Sequence, residues 1–149
     1  MIRLVSLVLL FLSSIAIGCT GSESSAERLQ LSVMMYNQAL RWGNIGDAAS
    51  YIPDDKREEW TKRRRRLEET VVILDYDLVE VRHPDAAAPK ADVTVSFEWR
   101  GKSSNVVETG KFVQEWTYRD VDKRWFMIKQ TEIKKEEPLD EDTPIRENL

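Results

Sequence analysis

The sequence predicts an α+β domain in which amino-terminal helices pack on a curved, four-stranded antiparallel meander, giving a cone-like shape. Three observations carry this reading. Between Ser24 and Leu67 the pattern is helical, with capping residues and apolar positions three and four apart, whereas beyond Thr70 the apolar period becomes two. The alternating stretches are joined by short turn-forming segments, PDAAAP, GKSSN and DK, as in a meander. All five tryptophans (42, 60, 99, 116 and 125) lie far from the amino terminus, which places the core in the later part of the chain.

The 149 residues suffice for one ordinary domain, and 42% apolar with 32% charged residues is a folded rather than a disordered composition. A net charge of −4 is too mild and too mixed for a nucleic-acid binder. The single cysteine excludes an internal disulfide.

The first helix is the stretch SSAERLQLSVMMYNQALRWGN. Ser24 or Ser25 caps it and Glu27 supports its first turn. Leu29, Val33, Tyr36 and Leu40 form one stripe; Leu31, Met35, Ala39 and Trp42 form a second beside it. Together they make a wide apolar face suited to a helix lying across a sheet, and Gly43 ends the helix. In IGDAASYIP, Asp47 is the expected cap of a short turn closed by Pro53. Pro53 then opens a helix over roughly 53–68, with Asp54, Asp55, Glu58 and Glu59 at its start and KRRRR (62–66) at its end. That charge order suits the helix dipole, and Glu58–Lys62 and Glu59–Arg63 are i,i+4 pairs.

TVVILDYDLVEVRH reads as the first strand. KADVTVSFEWR alternates cleanly: Ala91, Val93, Val95, Phe97 and Trp99 take one face, Asp92, Thr94, Ser96, Glu98 and Arg100 the other. VVETGKFVQEWTYRDV returns with Phe112, Trp116 and Tyr118 on a shared face and Gly110 as an expected bulge. RWFMIKQTEI is the last strand. Residues 134–149, acidic, proline-containing and without periodicity, read as a disordered tail.

The amino terminus reads as a signal. Arg3 precedes an apolar run from Leu4 to Ile17, shorter than the roughly 20 residues of a membrane-spanning helix and of the length of a secretory segment. Ala16-Ile17-Gly18-Cys19 resembles the lipobox of bacterial lipoproteins. The resemblance implies that residues 1–18 are removed, that Cys19 receives a diacylglyceryl thioether and that the new amino terminus is acylated. Residues 19–25 are then the anchor and a short tether. Each buried acyl CH₂ contributes about 0.8 kcal/mol, so several chains together give a durable hold on a bilayer. With threonine after the cysteine, the resemblance implies an outer-membrane lipoprotein of the cell envelope with its domain facing the periplasm.

Residues 26–133 resemble the nuclear transport factor 2-like (cystatin-like) cone superfamily. The resemblance rests on the end of the first helix from Tyr36 to Trp42, on GNIGDAASYI after it, and on DKRWFMI opening the last strand. It implies a sheet curled around the first helix, and a superfamily that holds both enzymes and non-catalytic domains.

Several groups are candidates for function. Gln114, between Phe112 and Trp116, is a polar residue on an apolar face; with Tyr36, Trp42, Trp99 and Trp116 it makes a candidate apolar ligand pocket. Arg63, Arg64, Arg65 and Arg66 are a candidate grip for anionic groups such as lipid headgroups. Asp75 and Asp77, about 6.5–7 Å apart along one strand face, are the carboxylates an isomerase or dehydratase alternative would use. His83, the only histidine, has no partner to share a metal, so no metal or cofactor is expected. Phe126 and Ile128 offer a second sheet face for a protein partner or a second copy. The functional expectation is a lipid-anchored, non-catalytic envelope protein that binds a protein partner or a small apolar ligand, with the bilayer as its anchor and nucleic acid excluded.

Overall fold

The computed structural model describes residues 24–82 and 89–134. The signal segment 1–18, Cys19 with the tether as far as Glu23, His83 with most of its loop, and the tail from 135 lie outside these residues, while Ser24 and Ser25, read as the end of the tether, belong to the first helix and its cap. Three helices pack against one antiparallel sheet of order β1-β2-β3-β4, as the sequence predicts.

Helix α1 (Ser25–Arg41) begins at a reciprocal capping box. Ser24 Oγ accepts from the Glu27 amide at 3.2 Å, and Glu27 Oε2 accepts from the Ser24 amide at 2.7 Å, satisfying two donors at the helix start. Gly43, at φ 67°, follows its last turn. Leu29, Val33, Tyr36 and Leu40 are buried as predicted, and Asn37 is buried with them. The second stripe behaves differently. Ala39 is buried, but Leu31, Met35 and Trp42 are exposed. A helix laid on a sheet covers one side only, and among the described residues only the short α2 segment comes beside the outer side of α1, bordering Met35 and Trp42 across a groove without burying them.

Helix α2 (Ile45–Ala49) is a single turn. Its cap position is Asn44 rather than the expected Asp47, which lies in the first turn and accepts from the Asn44 side chain. Helix α3 (Asp54–Thr70) has Pro53 in the cap position and not as its first residue, so it starts one residue later than expected and runs two residues further. The Lys62–Glu58 pair forms at 2.7 Å. No residue of α3 is fully buried: Trp60 packs against the core, and the rest of the helix stands off the sheet instead of lying flat on it. Arg57 ties its start to the chain before it, donating to the carbonyls of Ala49 at 3.0 Å and Ile52 at 3.1 Å.

The strands are β1 (Val71–Arg82), β2 (Lys90–Gly101), β3 (Val107–Arg119) and β4 (Arg124–Ile133). The inward set of β2 is the predicted one: Ala91, Val93, Val95 and Phe97 are buried against α1. Trp116 and Gln114 of β3 and Trp125 and Met127 of β4 complete the core. Gly110 is not a bulge. It pairs regularly with Phe97, and a Cβ there would lie 2.7 Å from Trp99 Cη2, so the glycine makes room for an indole ring. The register shifts lie elsewhere, between Ile73 and Asp75, between Leu78 and Glu80, and between Glu115 and Trp116. Such shifts bend strands and increase twist, as a curled sheet requires.

Candidate functional site

Because α3 stands away from the sheet, a cleft of about 840 Å³ opens between α3 and β4. The side of α3 that faces it follows from helical phase. Lys56, Trp60, Arg63 and Leu67 recur at three- and four-residue steps and line the cleft with Arg64, Arg66 and Thr70. Lys129 of β4 adds a cation from the opposite wall. The acidic residues of α3 contribute none of the lining. Arg64, the least exposed of these cations, pairs with Glu68 at 3.4 Å.

The floor is aromatic. Tyr36 sits edge-on to Trp116 at 5.6 Å between ring centroids and tilted against Trp60 at 6.2 Å. Burial pushes the Tyr36 phenol well above its ordinary pKa, against smaller opposing effects of the Arg64 charge and a hydrogen bond with Trp60. A second chamber of about 190 Å³ adjoins the cleft, since Leu40, Arg64, Leu67 and Gln130 line both. Its walls are Val71 and Ile73 of β1 with Phe97, Trp99 and Phe112. Trp99 and Phe112 meet edge-to-face at 5.9 Å, with Gly110 beneath the indole.

Beneath both cavities lies a buried amide cluster. Gln114 Nε2 donates to Asn37 Oδ1 at 2.7 Å and to Gln130 Oε1 at 3.1 Å. Asn37 Nδ2 returns a bond to Gln114 Oε1 at 3.2 Å and donates to the Val33 carbonyl at 2.8 Å. The cluster links α1 to β3 and reaches the cleft wall through Gln130.

The predicted site residues divide accordingly. Tyr36 lines the cleft and Trp99 the inner chamber, while Gln114 and Trp116 are fully buried below. Trp42 does not join them. It is 70% exposed at the end of α1, beside the Arg41 guanidinium, because it falls on the outer side of the helix. Of the four arginines, Arg63, Arg64 and Arg66 line the cleft and Arg65 does not. Two residues beyond Arg63, about 200° of helical rotation turns its side chain away. Asp75 and Asp77 are exposed on β1, outside both cavities, and Asp75 pairs with Arg41 at 3.1 Å. Phe126 is covered from within the chain, with the Arg119 guanidinium 3.9 Å from its ring centroid, and Ile128 lines the cleft. Lys56, Trp60, Leu67 and Lys129 escape a reading of clusters; the three- and four-residue spacing of the first three was the available signal. Among the described residues there is no group of three or more metal-ligating side chains, and no helix is long and apolar enough to cross a membrane.

The comparisons with known proteins bear on the architecture. A ketosteroid isomerase-like protein from Erwinia carotovora superposes with a TM-score of 0.57 at 16% identity, over 72% of this chain and 95% of that one. A conserved protein from Planctomyces limnophilus gives 0.53 at 13% identity, over 71% and 95%. A candidate polyketide cyclase from Xanthomonas campestris gives 0.53 at 12% identity, over 71% and 93%. The fold is the nuclear transport factor 2-like cone. No family model and no curated protein matches the chain. At these identities the likeness is one of fold, and the cone alone does not select an activity.

Proposed function

We propose that this chain is a lipid-anchored, non-catalytic protein of the bacterial cell envelope, whose cone binds a small amphiphile with an apolar body and an anionic group. The observation that carries the binding reading is the joining of two unlike cavities. The smaller chamber is walled by aliphatic and aromatic side chains, and it shares Leu40, Arg64, Leu67 and Gln130 with the cleft bordered by Lys56, Arg63, Arg64, Arg66 and Lys129. An apolar body gains by leaving water, while cations converging beside a low-dielectric wall favour an anionic head. The lipobox-like segment ending at Cys19 supports the anchor. Isomerase-style chemistry on Asp75 or Asp77 finds no support in their positions, since both stand in solvent away from the cavities.

Titration with decanoate and with decanol, followed by tryptophan emission, tests the binding reading. Saturable decanoate binding is expected. Replacing both Arg63 and Arg66 by glutamine is expected to weaken it roughly tenfold, with little effect on decanol, because charge-assisted contacts are removed and the apolar chamber is kept. Decanoate binding unchanged by the double substitution, or no response to either compound, rejects the reading. Mass spectrometry tests the anchor: an unmodified chain that retains residues 1–18 rejects it.

A further inference from the structure

Helix α1 carries an apolar stripe that is exposed among the described residues. Leu31, Met34, Met35 and Trp42 are 46, 49, 48 and 70% exposed. With Gln38 between them they occupy one side of the helix, about 100° wide at 3.6 residues per turn. That side is opposite Leu29, Val33, Tyr36 and Leu40, which meet the sheet. Between Leu31 and Trp42 no charged residue of the helix itself interrupts the stripe; Met35, Gln38 and Trp42 also border a groove whose other wall is Asn44, Asp47 and Ser50 of the α2 segment, and Arg41 stands at the edge with its guanidinium over the Trp42 ring, 5.4 Å from the centroid. Monomeric soluble domains seldom leave large apolar side chains in a contiguous row.

The length of chain before α1 says what covers it. Ser24, the helix cap, is five residues from Cys19, a contour of about 17 Å at 3.3–3.6 Å per residue. The helix itself has 17 residues and is about 25 Å long. A chain held in a bilayer at Cys19, or by the apolar run Leu4–Ile17, therefore keeps the whole of α1 within about two helix lengths of lipid. Tryptophan favours the headgroup region and methionine adapts to irregular apolar surroundings, so the stripe has the composition of an interfacial face. We infer that Leu31, Met34, Met35 and Trp42 form a bilayer-docking face, with α1 lying along the lipid surface. The inference rests on attachment upstream of Ser24, through acyl groups on Cys19 or through the apolar run, and does not depend on the ligand cleft, which uses the other side of the helix.

The test is quenching of tryptophan emission by brominated phosphatidylcholine in floated vesicles that carry the full chain. Partial quenching by lipids brominated near the headgroup is expected. Trp42→Phe should abolish it, and so should a Leu31→Glu, Met35→Glu double variant whose near-ultraviolet circular dichroism is unchanged. Quenching that persists in both variants, or its absence in wild-type protein that floats with the vesicles, overturns the inference. So does shielding of Trp42 that appears only when a second envelope protein is added. Mass spectra of the floated chain report separately whether Cys19 is acylated, so failure of the anchor reading and failure of the docking face remain distinct.

Discussion

Asn37 of α1 and Gln114 of β3, 77 positions apart in sequence, face each other in the core as a reciprocal amide pair, with bonds of 2.7 and 3.2 Å between them. Both are fully buried, so neither has water as a fallback. Such a pair helps fix how far along the sheet the helix sits, because sliding the helix by a turn would break both bonds between the amides and strip Asn37 Oδ1 of its partner, leaving Asn37 only its bond to the Val33 carbonyl and Gln114 its bond to Gln130.

Replacing Gln114 by leucine orphans Asn37 Oδ1 and is expected to cost about 2 kcal/mol, the typical penalty for an unsatisfied buried group. Asn37→Leu should cost a similar amount. The double variant should be clearly less destabilised than the sum, as residues in one hydrogen-bond network are not additive. Urea denaturation of the four chains measures this; strict additivity would count against the pairing.

Gly110→Ala places a methyl group where Trp99 now lies, since a Cβ would come within 2.7 Å of the ring. The half-buried indole is expected to swing into the inner chamber, lowering stability by about 1 kcal/mol through overpacking. Decanoate affinity should fall with it. Trp99→Leu in the same chain should relieve the clash and recover stability, which thermal melts of the single and double variants will show.

The Tyr36 phenol is buried, and its pKa in the folded chain lies above the ordinary value of 10.0. A raised folded pKa means that the unfolded chain loses its proton first as the medium becomes alkaline. The contribution of Tyr36 is therefore complete below pH 10.0 and is lost as pH rises toward its folded value. Tyr36→Phe should flatten the fall in stability above that pH and remove a late-titrating phenol from the ultraviolet titration. An unchanged alkaline slope would contradict the assignment.

The ion pair of Asp75 with Arg41 joins two partly exposed side chains, 55% and 35% accessible, and such pairs contribute little. Asp75→Asn is expected to change stability by no more than about 0.5 kcal/mol. It should leave decanoate binding unaltered. Loss of binding would return the carboxylate to the functional site.

Capping, alternation and turn chemistry made most of the fold legible, because these are local properties. Ser24 and Glu27 mark the start of α1 by their spacing, and Ala91 through Phe97 mark the inner face of β2 by their period. Gln114 stood out for the same reason, as a polar residue in phase with Phe112 and Trp116. Its partner did not. Asn37 lies on α1, where attention to apolar positions passes over it, and no local rule connects it with a strand 77 residues away. The phase of Arg63 and Arg66 against Arg65 is likewise written in the chain, but it acquires meaning only beside Lys129 of β4.

What the sequence determined by itself was the order of helices and strands, the capping of α1 and the inward face of β2, all set by interactions among neighbours in the chain. What tertiary structure decided was which apolar residues stay uncovered and where cavities form. Whether Trp42 is core or surface depends on how much of α1 one sheet can cover, and whether three arginines border a cleft depends on α3 standing off that sheet. Those outcomes belong to the packing of distant elements, where burial of one side of a helix necessarily leaves the other to the surroundings.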